Sequence, residues 1–222
     1  MTRFLRTGIM AVLGGWLLAG CGGGSGGPTV KALETVEVRQ YQGQNLSSIG
    51  DFQENSIKGP QSVSLDGYHL KISGLVDNPL ALTYDQVLNL AHYSKVVTLH
   101  CVEGWDVTIL WEGVLIDDLL KEAKVKDGQL IVIFHAADGY TSSLTLDFIR
   151  QNKILLAYKM NGVTIPAERG FPFMVVAEAK WGYKWVKWVT EIELSDNLNF
   201  HGYWESSGYN NNGDQSGPMF GP

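Results

Sequence analysis

Two cysteines, Cys21 and Cys101, are the residues of this 222-residue chain with the most chemical consequence. Cys21 follows Leu18-Ala19-Gly20 at the end of an apolar run over 9–18, which is itself preceded by Arg3 and Arg6. A basic start, a short apolar stretch and a small-residue junction describe an export signal and not part of a fold. The run falls short of the roughly 20 apolar residues that a membrane-spanning helix needs. A cysteine at this junction is expected to become the lipidated first residue of an exported protein, anchored on the periplasmic or cell-surface face. The alternative is a plain signal peptide that ends near a cysteine. Arg3 and Arg6 are separated and do not form a twin-arginine pair. With Cys21 lipidated, Cys101 is the only thiol left and no intramolecular disulfide can form. A lone thiol outside the cytoplasm is either buried and inert or held as a metal ligand. Position alone favours burial.

Composition narrows the function classes. The chain carries 17 basic and 23 acidic side chains, a formal net charge of −6, and removal of the signal takes away two arginines and no acid. Without a basic stripe there is nothing to release phosphate counterions, so nucleic acid is excluded as a partner. The length suits one domain with tails, and 45% apolar residues can form a substantial core.

The elements that position Cys101 follow from patterning. After the signal over 1–20, a Gly/Ser-rich tether is expected over 21–39, then a domain over 40–200, and a tail or lid over 201–222 rich in Gly, Asn and aromatics. The stretch 40–64 has no clear period and reads as an irregular arm. Tyr68, Leu70 and Ile72 alternate with polar neighbours, giving a strand that ends at Gly74. Thr83 and Gln86 form a capping box that opens a helix through Val87, Leu88 and Ala91. The β-branched run 95–100 is a strand that delivers Cys101 to its end. Helices over 115–123 and 145–152 and strands over 130–136, 154–158 and 173–177 follow. Asn161-Gly162 signals a type I′ hairpin. A last strand over 186–194 alternates Trp188, Thr190, Ile192 and Leu194 against Lys187, Glu191 and Glu193. Short helices among more numerous strands define an α+β class with mixed β-sheets.

The stretch His100-Cys101-Val102-Glu103-Gly104-Trp105, followed by Trp111-Glu112-Gly113-Val114, closely resembles the molybdopterin-binding domain of the sulfite oxidase family. That family includes the periplasmic methionine sulfoxide reductase catalytic subunits. The likeness continues through Asp138-Gly139-Tyr140, Leu156-Ala157-Tyr158, Met160-Asn161-Gly162, Gly170-Phe171-Pro172 and Gly182-Tyr183-Lys184-Trp185-Val186-Lys187-Trp188. In order and spacing these segments cover about 52–194.

The resemblance implies a sulfite-oxidase-type fold and a molybdenum–molybdopterin cofactor, with Cys101 as the one protein ligand to the metal. It implies that Lys184 and Lys187, with Gly182 and Tyr183, hold the cofactor phosphate; a solvated strand face is the alternative. Phe52 and Asn55 match the family's cofactor-gripping arm. Tyr140 matches a tyrosine beside the metal, able to hydrogen-bond the transferred oxygen, or else a turn aromatic packed under the sheet. Departures stand beside the matches. Glu54 replaces an arginine, and Phe173 and Met174 replace an aliphatic residue and an arginine. Arg169 stands where a histidine or asparagine is usual; it either takes over the missing arginine's contact or pairs with Glu168. Sulfite oxidases place arginines shortly after the ligand cysteine, where this chain has Glu103 and Trp105, as in the sulfoxide reductases. His100 and His135 read as structural histidines.

Three readings follow. The first is a molybdenum-dependent oxidoreductase that transfers an oxygen atom, reducing a sulfoxide or similar neutral oxide with electrons from a membrane partner. The second is a lipid-anchored surface binding module that keeps the fold and has lost the cofactor. The third is a thiol hydrolase using Cys101 with His100 or His135, although nothing in the sequence orients either histidine.

Overall fold

The computed structural model describes residues 26–221, so the export signal and Cys21 lie outside the described residues. In chain order the strands are β1 (Gln40–Tyr41), β2 (Gln44–Asn45), β3 (Leu70–Gly74), β4 (Leu80–Leu82), β5 (His92–His100) and β6 (Asp106–Leu115). They continue with β7 (Ile131–Ala136), β8 (Thr141–Thr145), β9 (Leu155–Met160), β10 (Val163–Thr164), β11 (Met174–Val176) and β12 (Val189–Ser195). The helices are α1 (Val30–Leu33), α2 (Tyr84–Leu88), α3 (Ile116–Glu122) and α4 (Leu146–Asn152).

The strands build a two-stranded ribbon, β1–β2, and two five-stranded sheets. One runs β10-β9-β6-β5, with β11 on the same edge of β9 as β10, and is antiparallel throughout. The other runs β4-β3-β12-β7-β8 and is mixed, because β12 pairs parallel to β3 and antiparallel to β7. Apolar side chains from both sheets, among them Ile109 and Trp111 of β6 and Phe134 and Ile192 of β7 and β12, share one core. The architecture is the expected α+β class, and no helix among the described residues is long and apolar enough to cross a membrane.

Local chemistry sets the boundaries. Both capping-box bonds are made at α2: the Gln86 N–H donates to Thr83 Oγ1 at 3.3 Å, and the Thr83 N–H to Gln86 Oε1 at 2.8 Å. The helix stops at Leu88, short of Ala91. Asn161 and Gly162 take φ of 49° and 78°, the pair of left-handed residues that a type I′ turn needs, and join β9 to β10. Strand β6, the longest, was absent from the sequence-based reading, yet Val107, Ile109 and Trp111 alternate as fully buried residues along it. Its partner β5 runs antiparallel to it from His92↔Val114 to His100↔Asp106.

Residues 28–39, expected to form the end of a tether, are packed on the domain. The Ala167 N–H donates to Pro28 O at 2.7 Å and the Val38 N–H to Asn161 O at 2.8 Å. The buried Glu37 carboxylate accepts from Ile49 N–H at 3.0 Å and Asn161 Nδ2 at 2.8 Å. Residues 28–39 therefore belong to the domain, because a buried carboxylate must be matched by donors that fix it in place. The tail is fixed as well: the Tyr203 N–H donates to Thr141 O at 2.9 Å and the Trp181 N–H to Gly213 O at 2.8 Å.

Gly113 sits at the register shift between β6 and β9, where an added Cβ would lie 2.2 Å from the Leu156 carbonyl oxygen. Backbone cannot retreat as a flexible side chain can. Gly113→Ala is expected to cost roughly 2–3 kcal/mol of stability, read as a lower urea midpoint. A change within about 0.5 kcal/mol, the range of neutral surface substitutions, would show that the β6–β9 contact is looser than the geometry requires.

Candidate active site

Cys101 stands at the end of β5, in the loop that turns into β6. Two backbone hydrogen bonds close that loop: Cys101 N–H to Trp105 O at 2.9 Å and Gly104 N–H to Cys101 O at 3.1 Å. Gly104 carries the turn at φ 87°, which a side chain would resist. Opposite, the short 3₁₀ turn Gly182–Lys184 presents Gly182, whose missing side chain lets the two backbones approach; a Cβ there would meet Cys101 Cα at 3.4 Å. The arm from the N-terminal side supplies Asn55, whose Nδ2 donates to Cys101 Sγ at 3.4 Å. Arm and hairpin are tied where Ser47 N–H donates to Thr108 O at 2.8 Å and Thr108 N–H to Ser47 Oγ at 3.0 Å.

These elements enclose a cleft with about 700 Å³ of space open to solvent, bordered by Asn55, Cys101, Glu103, Asp138, Tyr140 and Lys187. An adjoining recess on the far side of Cys101 adds Phe52, Trp105 and Arg169. The structure thus brings together Phe52, Asn55, Cys101, Glu103, Trp105, Tyr140, Arg169, Gly182, Tyr183 and Lys187 around one thiol.

The electrostatics are divided. Lys187 lies 3.5 Å from Glu54 and 4.6 Å above the Trp188 ring. Burial lowers its pKa, and the Glu54 carboxylate opposes that. Glu54, a departure from the family pattern, is therefore the counter-charge of the lysine that faces the cleft. Arg169 donates Nε–H to Ile49 O at 2.9 Å and stacks 5.2 Å from the Phe52 ring. Glu168 accepts from Val30 N–H at 3.1 Å, and among the described residues it forms no ion pair with Arg169. On the other side Glu103 Oε2 lies 3.9 Å from Cys101 Sγ and accepts from Trp105 Nε1 at 3.3 Å. Burial pushes the Cys101 thiol above its ordinary pKa. The Glu103 amide N–H and Asn55 pull it down, and the Glu103 carboxylate pushes it up again.

Two expectations are corrected by placement. Lys184 borders neither the cleft nor the recess. Its side chain is fully buried and its ammonium is 2.6 Å from Glu205 Oε1 and 2.8 Å from Asn211 O, so it is committed to the tail and is no solvated face either. The cause is geometric: the 3₁₀ turn sends Lys184 away from the surface that Gly182 and Lys187 present. Tyr140 does border the cleft, but its hydroxyl donates to the Tyr183 carbonyl. Its one proton is spent on holding the turn beside Cys101, and only oxygen lone pairs remain for a ligand.

Neither histidine serves the thiol. His100 Nδ1 lies 3.6 Å from Asp106, His135 Nε2 lies 2.8 Å from Glu193, and neither borders the cleft. A thiol with a raised pKa and neither histidine beside it is a poor nucleophile, which counts against the hydrolase reading with His100 or His135. Residues that sequence reasoning passed over also reach the cleft, namely Ser56, Ile57, Asp138, Trp188 and Tyr209. Asp138 lay within a recognised segment and was a usable signal. Tyr209 sits in a Gly- and Asn-rich tail with no periodicity to place it.

A sulfur donor at the end of a hairpin suits a soft, sulfur-ligated metal. The amide N–H on that sulfur would tune such a ligand, and Lys187 and Arg169, which border the same spaces as Cys101, would supply positive charge for a phosphate. The residues present fit a metal–pterin cofactor, and fold and cleft together define a cofactor-dependent oxidoreductase of the sulfite oxidase type. The chain belongs to the oxidoreductase molybdopterin binding domain family, whose model matches residues 57–204. Its cofactor is molybdenum–molybdopterin.

An uncharacterized oxidoreductase, YuiH of Bacillus subtilis, is 35% identical over 156 residues, covering 70% of this chain and 78% of that one. The protein-methionine-sulfoxide reductase catalytic subunit MsrP of Xanthomonas campestris is 26% identical over 191 residues, covering 78% of this chain and 59% of that one. This chain thus accounts for less than two thirds of MsrP. In fold it is similar to the sulfane dehydrogenase SoxCD of Paracoccus pantotrophus, with a TM-score of 0.61 and 24% identity over 75% of this chain and 52% of that one.

The raised thiol pKa has a direct consequence in the cofactor-free protein. Raising the pKa shrinks the thiolate fraction at neutral pH and moves its appearance to more alkaline solution. Iodoacetamide should therefore modify Cys101 slowly at pH 7, with a rate still climbing at pH values where a free thiol has levelled off. A rate that levels off at or below the free-thiol pKa would mean that the Asn55 and Glu103 N–H donors outweigh burial.

Proposed function

We propose that this enzyme reduces a small neutral oxide, a sulfoxide or a similar compound, on the outer side of a membrane to which it is anchored through lipidated Cys21. When bound, the molybdenum–pterin group supplies two-electron oxygen-atom chemistry. Reduction of a sulfoxide consumes two electrons and two protons and releases a sulfide and water. A membrane-bound electron donor is the natural source of the electrons for an anchored enzyme. The similarity to MsrP, a protein-methionine-sulfoxide reductase catalytic subunit, supports the same direction.

The observation that carries the reading is the charge of the cleft. Lys187 is already countered by Glu54 at 3.5 Å, whereas Glu103 Oε2 lies 3.9 Å from the thiol and Asp138 adds a second carboxylate to the cleft wall. Sulfite bears up to two negative charges, and each like-charge pair near 6 Å costs about 3 kcal/mol at an effective dielectric of about 20. Desolvating such an anion without a paired donor adds to the penalty. A neutral oxide avoids both terms and leaves its apolar part to Tyr140, Trp204 and Tyr209.

The roles divide accordingly. Cys101 holds the metal, and Asn55 donates to its sulfur. Lys187 and Arg169 meet the phosphate. Tyr140, through the Tyr183 carbonyl, is a positioning residue that fixes the turn against the hairpin. Glu103 and Trp105 shape the substrate side.

Molybdenum-loaded protein should reduce methionine sulfoxide or dimethyl sulfoxide with a reduced viologen donor and oxidise sulfite negligibly in a parallel assay. Efficient sulfite turnover at a low KM would overturn the charge argument. For the anchor, the full-length protein should partition into the detergent phase of Triton X-114 and Cys21→Ala into the aqueous phase. Equal partitioning of the two would remove the lipid.

A further inference from the structure

The family match ends at residue 204, yet the chain continues through a structured segment that reaches the cleft. Trp204 and Tyr209 form part of the cleft wall, with ring centroids 5.6 Å apart, and Tyr209 lies 5.1 Å from Tyr183. Each is flanked by a residue that fastens the segment. Glu205, next to Trp204, is fully buried; its Oε1 accepts from Lys184 Nζ at 2.6 Å and from Ser142 Oγ at 2.6 Å. Next to Tyr209, the Asn210 carbonyl accepts from Tyr183 OH at 2.7 Å, and Asn211 O accepts from Lys184 Nζ at 2.8 Å. Farther on, Lys180 Nζ pairs with Asp214 Oδ1 at 2.6 Å. Gly202 lies so close to β8 that a Cβ would fall 2.3 Å from Thr141 O.

A buried ion pair is a weak source of stability, because desolvation consumes most of the attraction, but breaking one partner strands a charge in the interior. Such a pair therefore acts chiefly on geometry. Lys184 and Glu205 have no exposed side-chain surface, and both are spent on this segment.

We propose that Lys184 anchors a cleft wall and does not hold the cofactor phosphate. Its pair with Glu205 fixes Trp204 and Tyr209 beside Cys101, where they favour uncharged substrates that carry a flat apolar group. The substrate clause rests on the oxygen-atom-transfer reading above; the anchoring does not. Lys184 and Glu205 are positioning residues, and Trp204 and Tyr209 are the specificity surface.

The test begins on the loaded, full-length protein with readouts independent of turnover. Glu205→Gln preserves shape and leaves Lys184 in place; Lys184→Met removes the charge. Both are expected to retain molybdenum at the wild-type level, while chymotrypsin cuts after Trp204 or Tyr209 at least about tenfold faster, as the local opening penalty falls. Unchanged protection in Glu205→Gln overturns the anchor, whether or not Lys184→Met folds. Loss of molybdenum from a folded Lys184→Met also overturns it, since that is the signature of a phosphate ligand. Trp204→Ala then tests the surface. KM for methyl phenyl sulfoxide should rise about tenfold with a smaller change in kcat, and KM for dimethyl sulfoxide should change by less than about threefold, because only the aryl group loses a ring partner. Equal changes for the two overturn the selectivity. Wild-type protein that reduces neither compound removes the oxygen-transfer reading and the substrate clause with it, and the proteolysis still decides the anchor.

Discussion

The site depends on one close backbone approach, that of the Gly182 turn to the hairpin loop that carries Cys101. The loop is closed by its own Cys101–Trp105 hydrogen bond, and the turn is held by the Tyr140 hydroxyl on the Tyr183 carbonyl. Each half comes from a different sheet: β5 and β6 from the antiparallel one, and Tyr140, just before β8, from the mixed one. The thiol is therefore placed by the junction between the sheets. Several polar groups buried there are partnered: Asp138 accepts from the Tyr140 N–H, and Lys184 pairs with Glu205.

A second constraint is charge separation within a small volume. Burial lowers the Lys187 pKa, and Glu54 at 3.5 Å opposes that shift. Glu103, at the other end, raises the thiol's pKa and receives the Trp105 N–H. A cofactor that brings a phosphate to the first end and a metal to the sulfur would complete both. With Cys101 as a metal ligand, the Glu103 carboxylate 3.9 Å from its sulfur would disfavour an anionic substrate. The proposed preference for neutral substrates rests on that carboxylate.

Much of this was legible in the sequence because short motifs with fixed φ or capping demands reveal themselves locally. Thr83 with Gln86 marked α2, Asn161-Gly162 marked the β9–β10 turn, and the β-branched run before Cys101 marked β5. Strand β6 was not legible although Val107, Ile109 and Trp111 alternate, because apolar Leu110 between them blurs the period. The ordered segments from Cys101 to Trp188 pointed to the family, and the structure brings most of the residues singled out to one cleft. Lys184 could not be placed in this way. A lysine three residues before another basic residue looks the same whether its ammonium meets a phosphate or a glutamate 21 positions later in the chain. Tail contacts of that kind have no local pattern, because the partner is fixed by tertiary packing alone. The same holds for Tyr140, whose position was legible and whose proton's destination was not.

The central claim is that Cys101 is the protein's ligand to molybdenum. X-ray absorption at the molybdenum K-edge on loaded wild-type protein counts the sulfur neighbours directly. Dithiolene coordination supplies two sulfurs and the thiolate a third, so the account predicts about three sulfur neighbours in the wild type and about two in any molybdenum retained by Cys101→Ser. An identical sulfur count in the two proteins would contradict it.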